Sequence, residues 1–453
     1  MNETQNLLGS EPIGKLLLKY SIPAIISMLV NALYNVIDRI FIGNMPGAGP
    51  LAIAGVGVTM PITTILLAFG MLIGIGSTTV ISIKLGQGKK DDADKILANS
   101  ITLSAIIGLI LTLIGILFAN KILLAFGASD QSLYYAKSFC NIILLGSVFN
   151  IMAFSLNATI RGDGNPRLSA MIMVIGCIVN IVLDYIFIFV LKIGIQGAAL
   201  ATVIAQIVTA ILGLNYYIKG KSNLTFKKEN LKLDKDIIKL IFGIGISPFS
   251  MQIAASLVQV ISNNALKVYG GDIGIGAMAT ISSIAMIFLM PLYGINQGSQ
   301  PIIGFNYGKK QYNRSKKAFT LSLIFGIILL TFGFISIWMY PEFYVVMFSS
   351  DPKLVAVTSN GLRKYCLMLP LLPIIVLGTN YLQSIGKAKQ AMFLSLLRQV
   401  LVLIPMILIL PKFMQLNGIW YAQSISDATS IIIAFIMLII EFRSYKKLPS
   451  EKN

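Results

Sequence analysis

Long apolar runs alternate with short polar intervals along almost the whole chain. About twenty apolar residues are enough for an α-helix to cross the hydrocarbon of a bilayer, and twelve runs reach that length. The pattern predicts an all-α integral membrane protein with twelve transmembrane helices. The predicted spans are 16–43, 51–84, 93–119, 133–160, 168–190, 196–218, 237–268, 275–307, 316–340, 355–384, 390–410 and 418–441.

The composition supports a bilayer rather than water as the solvent. The chain is 56% hydrophobic and 12% charged, with a mean hydropathy of +0.81, which exceeds what a soluble fold buries. A polar start leads into a long apolar run without a cleavage signal, so the first helix is expected to be retained. The chain has no histidine, and its three cysteines fall in apolar segments, so we expect no cofactor and no site for a soft metal.

The net charge of +18 reflects membrane topology rather than nucleic-acid binding. Lys and Arg cluster between the spans and lie mostly on the side of the N-terminus. Basic residues are enriched in cytoplasmic loops and contact anionic lipids. We therefore expect a multi-pass protein of a bacterial-type plasma (inner) membrane, with both termini in the cytoplasm and lipids as partners.

The two halves of the sequence repeat. Lys15 and Pro23 match Lys239 and Pro248, and Gly74-Ile-Gly matches Gly294-Ile-Asn. Later matches pair Gly88-Lys-Lys with Gly308-Lys-Lys, Gly164 with Gly386, and Gly197 and Ala201 with Gly418 and Ala422. Six spans per half make the repeat parallel, so we expect two pseudo-symmetric six-helix bundles around a central cavity, an architecture that suits alternating access. The predicted division is a cytoplasmic N-terminus (1–15), an N-lobe (16–218), a cytoplasmic linker (219–236), a C-lobe (237–441) and a cytoplasmic C-terminus (442–453).

Three carboxylates, Asp38, Asp184 and Asp427, fall inside apolar spans, where an ionised group is costly and therefore a candidate for function. Helical spacing and span direction bring Asp38, Asn180, Asp184 and Thr202 together in the outer half of the N-lobe. Such an oxygen-only cluster suits Na⁺, and its carboxylates also suit proton carriage. Asp38 could instead pair with Arg39 or lie at the membrane interface. Asp427 and Arg398 could form either a structural pair or a coupling pair.

At these residues the chain resembles the multidrug and toxin extrusion (MATE) family, particularly the prokaryotic branch that includes DNA-damage-inducible efflux proteins. The most specific matches are Tyr34-Asn-Val-Ile-Asp38-Arg-Ile-Phe-Ile-Gly43, Arg161-Gly-Asp-Gly-Asn-Pro166, Asn180-Ile-Val-Leu-Asp184 and Gly197-Ala-Ala-Leu-Ala-Thr202, with Pro23 in the first span. The similarity covers residues 15–441.

The resemblance implies a monomeric secondary active transporter that exports cationic or amphipathic drugs in exchange for Na⁺ or H⁺. Asp38, Asn180, Asp184 and Thr202 match the cation-coupling cluster, and Tyr34, Asn157 and Met173 match positions that face the substrate cavity. Gln252 and Gln259 stand where one branch of the family carries a C-lobe carboxylate, so no second cation site is expected. Pro23 is either a hinge or a static kink, and the loop that starts at Arg161 is either a gate or a plain turn.

Other functions fit the sequence less well. No nucleotide-binding GxxxxGK[ST] motif is present, so an ion gradient is the expected energy source. A flippase for lipid-linked precursors shares the two-lobed architecture, yet only Arg39 and Arg398 lie inside spans. An intramembrane enzyme would need a catalytic dyad. This chain has no histidine, and its three intramembrane acids lie in three different spans, so we expect no enzymatic activity. A channel stays open as an alternative.

Overall fold

The structure is a computed structural model that describes residues 8–45, 49–126, 130–219, 222–348 and 352–445. Over these ranges the chain is almost entirely helical and has no strand. Ten helices are long and apolar enough to cross a bilayer, and two bent helix pairs bring the number of spans to twelve. The predicted all-α class with twelve spans is confirmed.

The helices divide into two series that follow the sequence repeat. The first series comprises α1 (Ile13–Gly43), α2 (Gly49–Gly86), α3 (Lys90–Ala125), α4 (Asp130–Leu145), α5 (Ser147–Gly162), α6 (Pro166–Tyr185) and α7 (Ile195–Ile218). The second comprises α8 (Lys235–Gly271), α9 (Ile273–Gly308), α10 (Tyr312–Met339), α11 (Pro341–Val346), α12 (Pro352–Tyr365), α13 (Leu372–Ser384), α14 (Ala388–Leu396), α15 (Ile404–Ile409), α16 (Pro411–Met414) and α17 (Leu416–Ser444). π-Helical turns follow α6 at Ile186–Val190 and join α14 to α15 at Leu397–Leu403, and 3₁₀ turns occupy Lys228–Leu231 and Leu369–Leu371.

Two spans that the sequence predicts as single helices are bent. The predicted span 133–160 breaks between α4 and α5, which meet at 55°, and the span 355–384 breaks between α12 and α13 at 40°. Gly146 occupies the first bend, where an added Cβ would lie 2.5 Å from Val203 Cγ2 of α7. Two prolines, at 370 and 373, fall at the second bend. Proline removes a helical hydrogen bond and clashes with the preceding turn, which accounts for the break there.

The chain forms two compact units whose boundaries fall inside helices. Unit 1 consists of Ile26–Gln252 and the short segment that ends at Ser10, and unit 2 consists of Glu11–Ile25 and Ile253–Asn453. The predicted lobes divide instead at the linker. The first part of α1 therefore belongs to unit 2, and the first part of α8 belongs to unit 1.

Glycines of α2 and α9 explain why the first part of α8 packs in unit 1 and the first part of α1 packs in unit 2. In unit 2, a Cβ on Gly294 or Gly298 of α9 would lie within 2.7 Å of backbone atoms of Ile25 or Ser21 in α1. In unit 1, a Cβ on Gly76 of α2 would lie 2.3 Å from the carbonyl oxygen of Ile241 in α8. Since real Cβ atoms do not approach so closely, only glycine permits these helix contacts. These glycines thus let α9 pack closely against α1, and α2 pack closely against α8.

The linker between the halves is fastened to unit 1 rather than free in solvent. Asn99 of α3 donates to the carbonyls of Asn230 (3.2 Å) and Lys232 (3.4 Å) and accepts from the Asp234 backbone N–H at 2.9 Å. Asp94 accepts from the backbone N–H of Thr225 at 2.8 Å. These side chains provide hydrogen-bond partners for linker backbone groups that lie outside helices. The linker is therefore part of unit 1.

Candidate functional site

Unit 1 brings together the four residues of the predicted cation cluster. Asp38 lies near the end of α1, and Asn180 and Asp184 are one turn apart near the end of α6. Thr202 lies in the second turn of α7, which returns antiparallel to α6 after Gly194 takes a positive φ of 74°. Glycine adopts that backbone conformation without steric cost. The turn therefore sets Thr202 beside the last turns of α6.

Hydrogen bonds link the members of the cluster. The Asn180 amide fits its surroundings with its nitrogen donating to Asp184 Oδ2 at 2.9 Å and its oxygen accepting from the Thr202 backbone N–H at 3.2 Å. The Thr202 hydroxyl donates to the carbonyl of Ala198 at 3.0 Å. The carboxyl groups of Asp38 and Asp184 lie within hydrogen-bonding range of each other. Three helices are thereby joined through one polar group of side chains.

The carboxyl pair forms no ion pair, although Arg39 interacts electrostatically with the half-buried Asp38. Asp184 is fully buried, and one oxygen of each carboxyl, Oδ1 of Asp38 and Oδ1 of Asp184, has no hydrogen-bond partner. Neither carboxyl forms an ion pair with any Lys or Arg among the described residues. Arg39 instead directs its guanidinium to Met60 Sδ at 3.7 Å. Two unpaired acids this close suit a shared proton or a bound cation, because two full charges would repel each other strongly.

Aromatic side chains border the cluster. The Tyr34 ring lies close enough to Asp38, Asp184 and Cys177 to interact electrostatically with them. Phe41 packs edge-on against Phe189 with ring centroids 5.6 Å apart, and Tyr185 contacts both rings at 6.4 and 5.8 Å. Tyr34 and Met173, two predicted substrate contacts, are half-buried, so both keep surface that a ligand could touch.

The third predicted substrate contact, Asn157, is occupied by neighbouring residues. Its side chain accepts from Arg161 Nη1 and from the Ser169 hydroxyl (2.9 Å), and its amide donates to the Ser169 carbonyl at 2.7 Å. Arg161 is itself buried and also donates to Ser169 Oγ at 3.2 Å. The network joins α5 to α6. It leaves Asn157 little capacity for a ligand and keeps Arg161 away from solvent.

Sequence reasoning missed a buried acid beside this network. Asp163 accepts hydrogen bonds at Oδ2 from the Tyr216 hydroxyl, from Ser222 Oγ (2.8 Å) and from the Asn223 backbone N–H (3.1 Å). Burial raises the pKa of Asp163 to about 6, against the opposing effect of these hydrogen bonds. Asp163 follows a glycine in a polar loop, so nothing in the sequence distinguished it from a solvent-exposed turn residue.

In unit 2, Asp427 of α17 and Arg398 form a closed ion pair. Arg398 Nε donates to Asp427 Oδ1 at 2.7 Å, and Gln423 Nε2 lies 3.1 and 3.2 Å from the two carboxylate oxygens. The Ser426 hydroxyl also donates to the Arg398 carbonyl at 2.6 Å. The pair that the sequence suggested does exist, and both carboxylate oxygens of Asp427 lie within hydrogen-bonding distance of a donor.

The donor set of the N-terminal cluster fits a hard cation. Two carboxylates, an amide and a hydroxyl offer only oxygen ligands besides the amide nitrogen, and the unpartnered Oδ1 atoms are free to bind Na⁺ or a proton. Over the ranges that the structure describes, no three His, Cys, Asp or Glu side chains converge as a transition-metal site would require.

The two halves each match one family model, that of the MatE family, over residues 23–186 and 249–409. This chain belongs to the MatE family. The double match follows the internal repeat, and the predicted family is confirmed.

Among curated proteins, this MatE chain is similar to the multidrug export protein MepA of Staphylococcus haemolyticus (strain JCSC1435), at 27% identity over 97% of this chain and 96% of that protein. MepA of Staphylococcus aureus (strain MRSA252) is 26% identical over 94% of each chain.

Solved structures of MatE-type transporters share the fold. One, described as the outward-facing conformation of a multidrug resistance MATE family transporter of the MOP superfamily, aligns over 99% of this chain and 100% of its own, with a TM-score of 0.92 and 22% identity. A MOP superfamily transporter from Pyrococcus furiosus, described as having a reversed polarity of its binding pocket, aligns with the same TM-score of 0.92 at 23% identity. The curated MatE relatives are described as multidrug export proteins.

Proposed function

We propose that this protein is a secondary active transporter that exports cationic or amphipathic organic compounds in exchange for Na⁺ or H⁺ by alternating access. The observation that carries the proposal is the carboxyl pair of half-buried Asp38 and buried Asp184, whose buried Oδ1 atoms lack partners in the hydrogen-bonded cluster with Asn180 and Thr202. The export relatives support the substrate class.

The coupling step follows from electrostatics in a low-dielectric surrounding. With a proton or Na⁺ between them, the two carboxyls bear at most one net negative charge and the three helices pack together. When the ion leaves, two charges face each other at hydrogen-bonding range. Such repulsion costs several kcal/mol inside a membrane. It favours separation of α1 from α6 and makes the conformation of unit 1 depend on the bound ion.

The substrate surface is proposed to include Tyr34 and Met173. An aromatic face attracts organic cations, and a thioether adapts to varied shapes. Tyr34 interacts electrostatically with both carboxyls, so a bound drug cation and the coupling ion would compete for the same negative charge. Competition of this kind is what exchange requires. Asn157, bound to Arg161 and Ser169, is proposed to shape this wall rather than to contact the drug.

The protein is proposed to act as a monomer in a bacterial-type plasma membrane with both termini in the cytoplasm. The distribution of basic residues supports this orientation. Export of lipid-linked precursors is less well supported, because a flippase for anionic headgroups needs free intramembrane cations. Arg398, one of the two candidates, is bound by Asp427.

Transport in proteoliposomes tests the proposal. Na⁺ and H⁺ gradients are imposed separately, and ethidium export is followed in wild type, Asp38→Asn and Asp184→Asn. The matched control is Asp236→Asn, which changes an acid whose side chain is 90% exposed. We expect gradient-driven export to fall to background in the first two variants, without loss of folded protein, and to be unchanged in the control. Wild-type rates in both cluster variants would refute the coupling role, and non-saturable flux without gradient dependence would indicate a channel.

A further inference from the structure

An apolar groove of about 410 Å³ runs along unit 2 between α1, α9 and α10. Leu18 and Ile22 of α1 form one wall, Phe325 and Ile328 of α10 form the other, and Pro291 and Ile295 of α9 form the floor. The groove does not include any residue of the carboxylate cluster or of the ion pair. Its occupant is therefore a separate question from the exchanged ion and drug.

The groove exists because two helices pack on neighbouring faces of a third. α1 approaches α9 through Gly294 and Gly298, as described above, and α10 approaches α9 where a Cβ on Gly326 would lie 2.9 Å from Leu292 Cδ1. Glycines bring each helix close to α9 but supply no side chain to fill the space between α1 and α10. The cleft is thus built by the packing and is not a gap left by one small residue.

The walls face the medium that surrounds the spans. The exposed fractions of Leu18, Ile22, Phe325 and Ile328 are 52%, 50%, 46% and 62%. All four lie within helices that are apolar enough to cross a bilayer, and their apolar side chains match acyl chains as the covering medium. Because the groove is as large as small-ligand sites, it can take up an acyl chain between its walls rather than only meet chains at a surface.

Positive charge lies at one end of both walls. Lys15 precedes Leu18 and Ile22 by three and seven residues and therefore shares their face of α1. Lys317 precedes Phe325 and Ile328 by eight and eleven residues and shares their face of α10. The starts of the two helices are neighbours, since Arg314 Nη2 donates to the Glu11 carbonyl at 2.8 Å. Both lysines thus lie beyond the same mouth of the groove.

These lysines keep capacity for an anion. The Lys15 side chain is 73% exposed and contacts Glu11 at 2.9 Å, while Glu11 lies 3.9 Å from Lys19 as well, so basic residues outnumber the single acid. Lys317 is exposed. Its neighbour Lys316 is directed elsewhere, over the Phe442 ring at 5.1 Å. Anionic lipid headgroups are attracted to basic clusters of this kind at a membrane surface.

We propose that this groove binds one anionic phospholipid, with an acyl chain between α1 and α10 and the headgroup phosphate between Lys15 and Lys317. The chain contacts α1 at Ile22, beside Pro23 and just before the point where α1 passes from unit 2 to unit 1. The lipid therefore braces the segment of α1 in which a change of helix direction would occur. The site does not depend on the identity of the coupling ion.

Native mass spectrometry of the delipidated full chain tests the site with phosphatidylglycerol and phosphatidylcholine of identical acyl chains. We expect tighter binding of phosphatidylglycerol by roughly ten- to thirty-fold, from two lysine contacts near the headgroup. Lys15→Gln/Lys317→Gln should lose most of that preference. The matched control is Lys239→Gln/Lys95→Gln. Lys239 is the repeat counterpart of Lys15 and lies near Asp236 as Lys15 lies near Glu11, and Lys95 of α3 is exposed, as Lys317 is. The control should keep the wild-type preference.

A second variant tests the groove itself. Leu18→Trp fills the space between the walls with a side chain that a lipid-facing surface tolerates, and it should weaken the binding of both lipids. A phosphatidylglycerol preference that survives in Lys15→Gln/Lys317→Gln, or that falls equally in the control, would overturn the headgroup site. Undiminished binding of both lipids in Leu18→Trp would overturn the groove. All readouts are binding, so a failure here leaves the proposed transport function untouched.

Discussion

The two repeated halves differ most in how they treat buried charge. Unit 1 holds two carboxyls, Asp38 and Asp184, that share no basic partner and leave one oxygen each without a hydrogen bond. Unit 2 holds Asp427 bound by Arg398 and Gln423, with all distances between 2.7 and 3.2 Å. The same helical scaffold thus carries an unsatisfied acidic cluster in one half and a self-satisfied pair in the other.

The internal repeat shows that these features are not copies of each other. In the register that pairs Pro23 with Pro248, Asp38 matches Asn263, and in the register that pairs Gly197 with Gly418, Asp427 matches Gln206. Each half therefore has a neutral residue where the other has an acid. Helix packing follows the repeat because glycine and proline positions set it, while charge is placed independently in each half.

The difference separates two roles for an intramembrane acid. A satisfied ion pair adds structure, and removing one member leaves a buried charge without compensation. An unsatisfied pair lowers stability, and we propose that it is retained to bind an ion. We therefore expect mutations in unit 2 to affect folding first and mutations in the unit 1 cluster to affect ion coupling first.

The largest expected effect is on folding when the ion pair of unit 2 is broken. Asp427→Ala leaves the Arg398 guanidinium buried, and we expect it to lower the free energy of unfolding by about 3–5 kcal/mol. Thermal unfolding in detergent and the yield of monodisperse protein measure this. The double variant Arg398→Met/Asp427→Leu, which removes both charges, should recover most of the stability and retain gradient-driven export.

If the double variant folds but no longer couples, the pair takes part in exchange and the contrast between the halves fails. If Asp427→Ala is as stable as wild type, the pair is not buried as the structure has it. Asp38→Asn provides the opposite case, since it removes a repulsive charge and should keep or raise stability while export is lost.

A second contrast concerns the loops that follow α5 and α13. In unit 1 this loop is held by Asp163, and in unit 2 by the ion pair of Lys387 with Glu441. Because burial raises the pKa of Asp163 to about 6 from 3.8, the folded state binds this proton more tightly than the unfolded state. The contribution of Asp163 to stability is therefore greatest at low pH and is lost as the pH rises through 6.

The expected size of that loss is about 2 kcal/mol between pH 4 and pH 7. Asp163→Asn cannot ionise, so its free energy of unfolding should rise relative to that of wild type as the pH rises through this window. Thermal unfolding at each pH measures the difference. Asp236→Asn, at an exposed position, should follow the wild-type curve. A constant difference between Asp163→Asn and wild type at all pH values would show that Asp163 does not titrate there.

The sequence predicted the parts of the structure that follow from hydrophobic length and from isolated intramembrane acids. Twelve runs gave twelve spans, and Asp38, Asn180, Asp184 and Thr202 converge because helical spacing and span direction determine their depth. It did not predict the bend at Gly146, since the apolar run continues through it, whereas prolines 370 and 373 mark the second bend in the sequence. Nor did it predict the burial of Asp163, which depends on Tyr216 and on the linker, or the placement of the first part of α1 in unit 2.

The exchanged helix segments give a third test, with a control two residues away. An added Cβ on Gly245 of α8 would lie 1.8 Å from the carbonyl oxygen of Leu72, whereas one on Gly243 would meet nothing within 4 Å. Gly245→Ala should therefore lower the free energy of unfolding by about 1–3 kcal/mol through overpacking. Gly243→Ala should be neutral or slightly stabilising, because alanine favours the helix. Equal stability of the two variants would contradict the packing of α8 in unit 1.

The smallest effect tests whether two amides that each precede an intramembrane acid by one turn serve different purposes. Asn180 donates to Asp184 and Gln423 donates to Asp427, and each amide lies one turn before its acid on the same helix. Asn180 orients a carboxyl that has no other strong partner, so Asn180→Ala should weaken the apparent affinity for the coupling cation by roughly ten-fold. Asp427 keeps Arg398 as its partner, so Gln423→Ala should leave that affinity unchanged and lower the free energy of unfolding by about 1 kcal/mol.

Dye export measured as a function of Na⁺ or H⁺ concentration, together with thermal unfolding, separates the two effects. Equal losses of cation affinity in both variants would mean that the two polar groups act as one ion pathway, despite the difference in their partners.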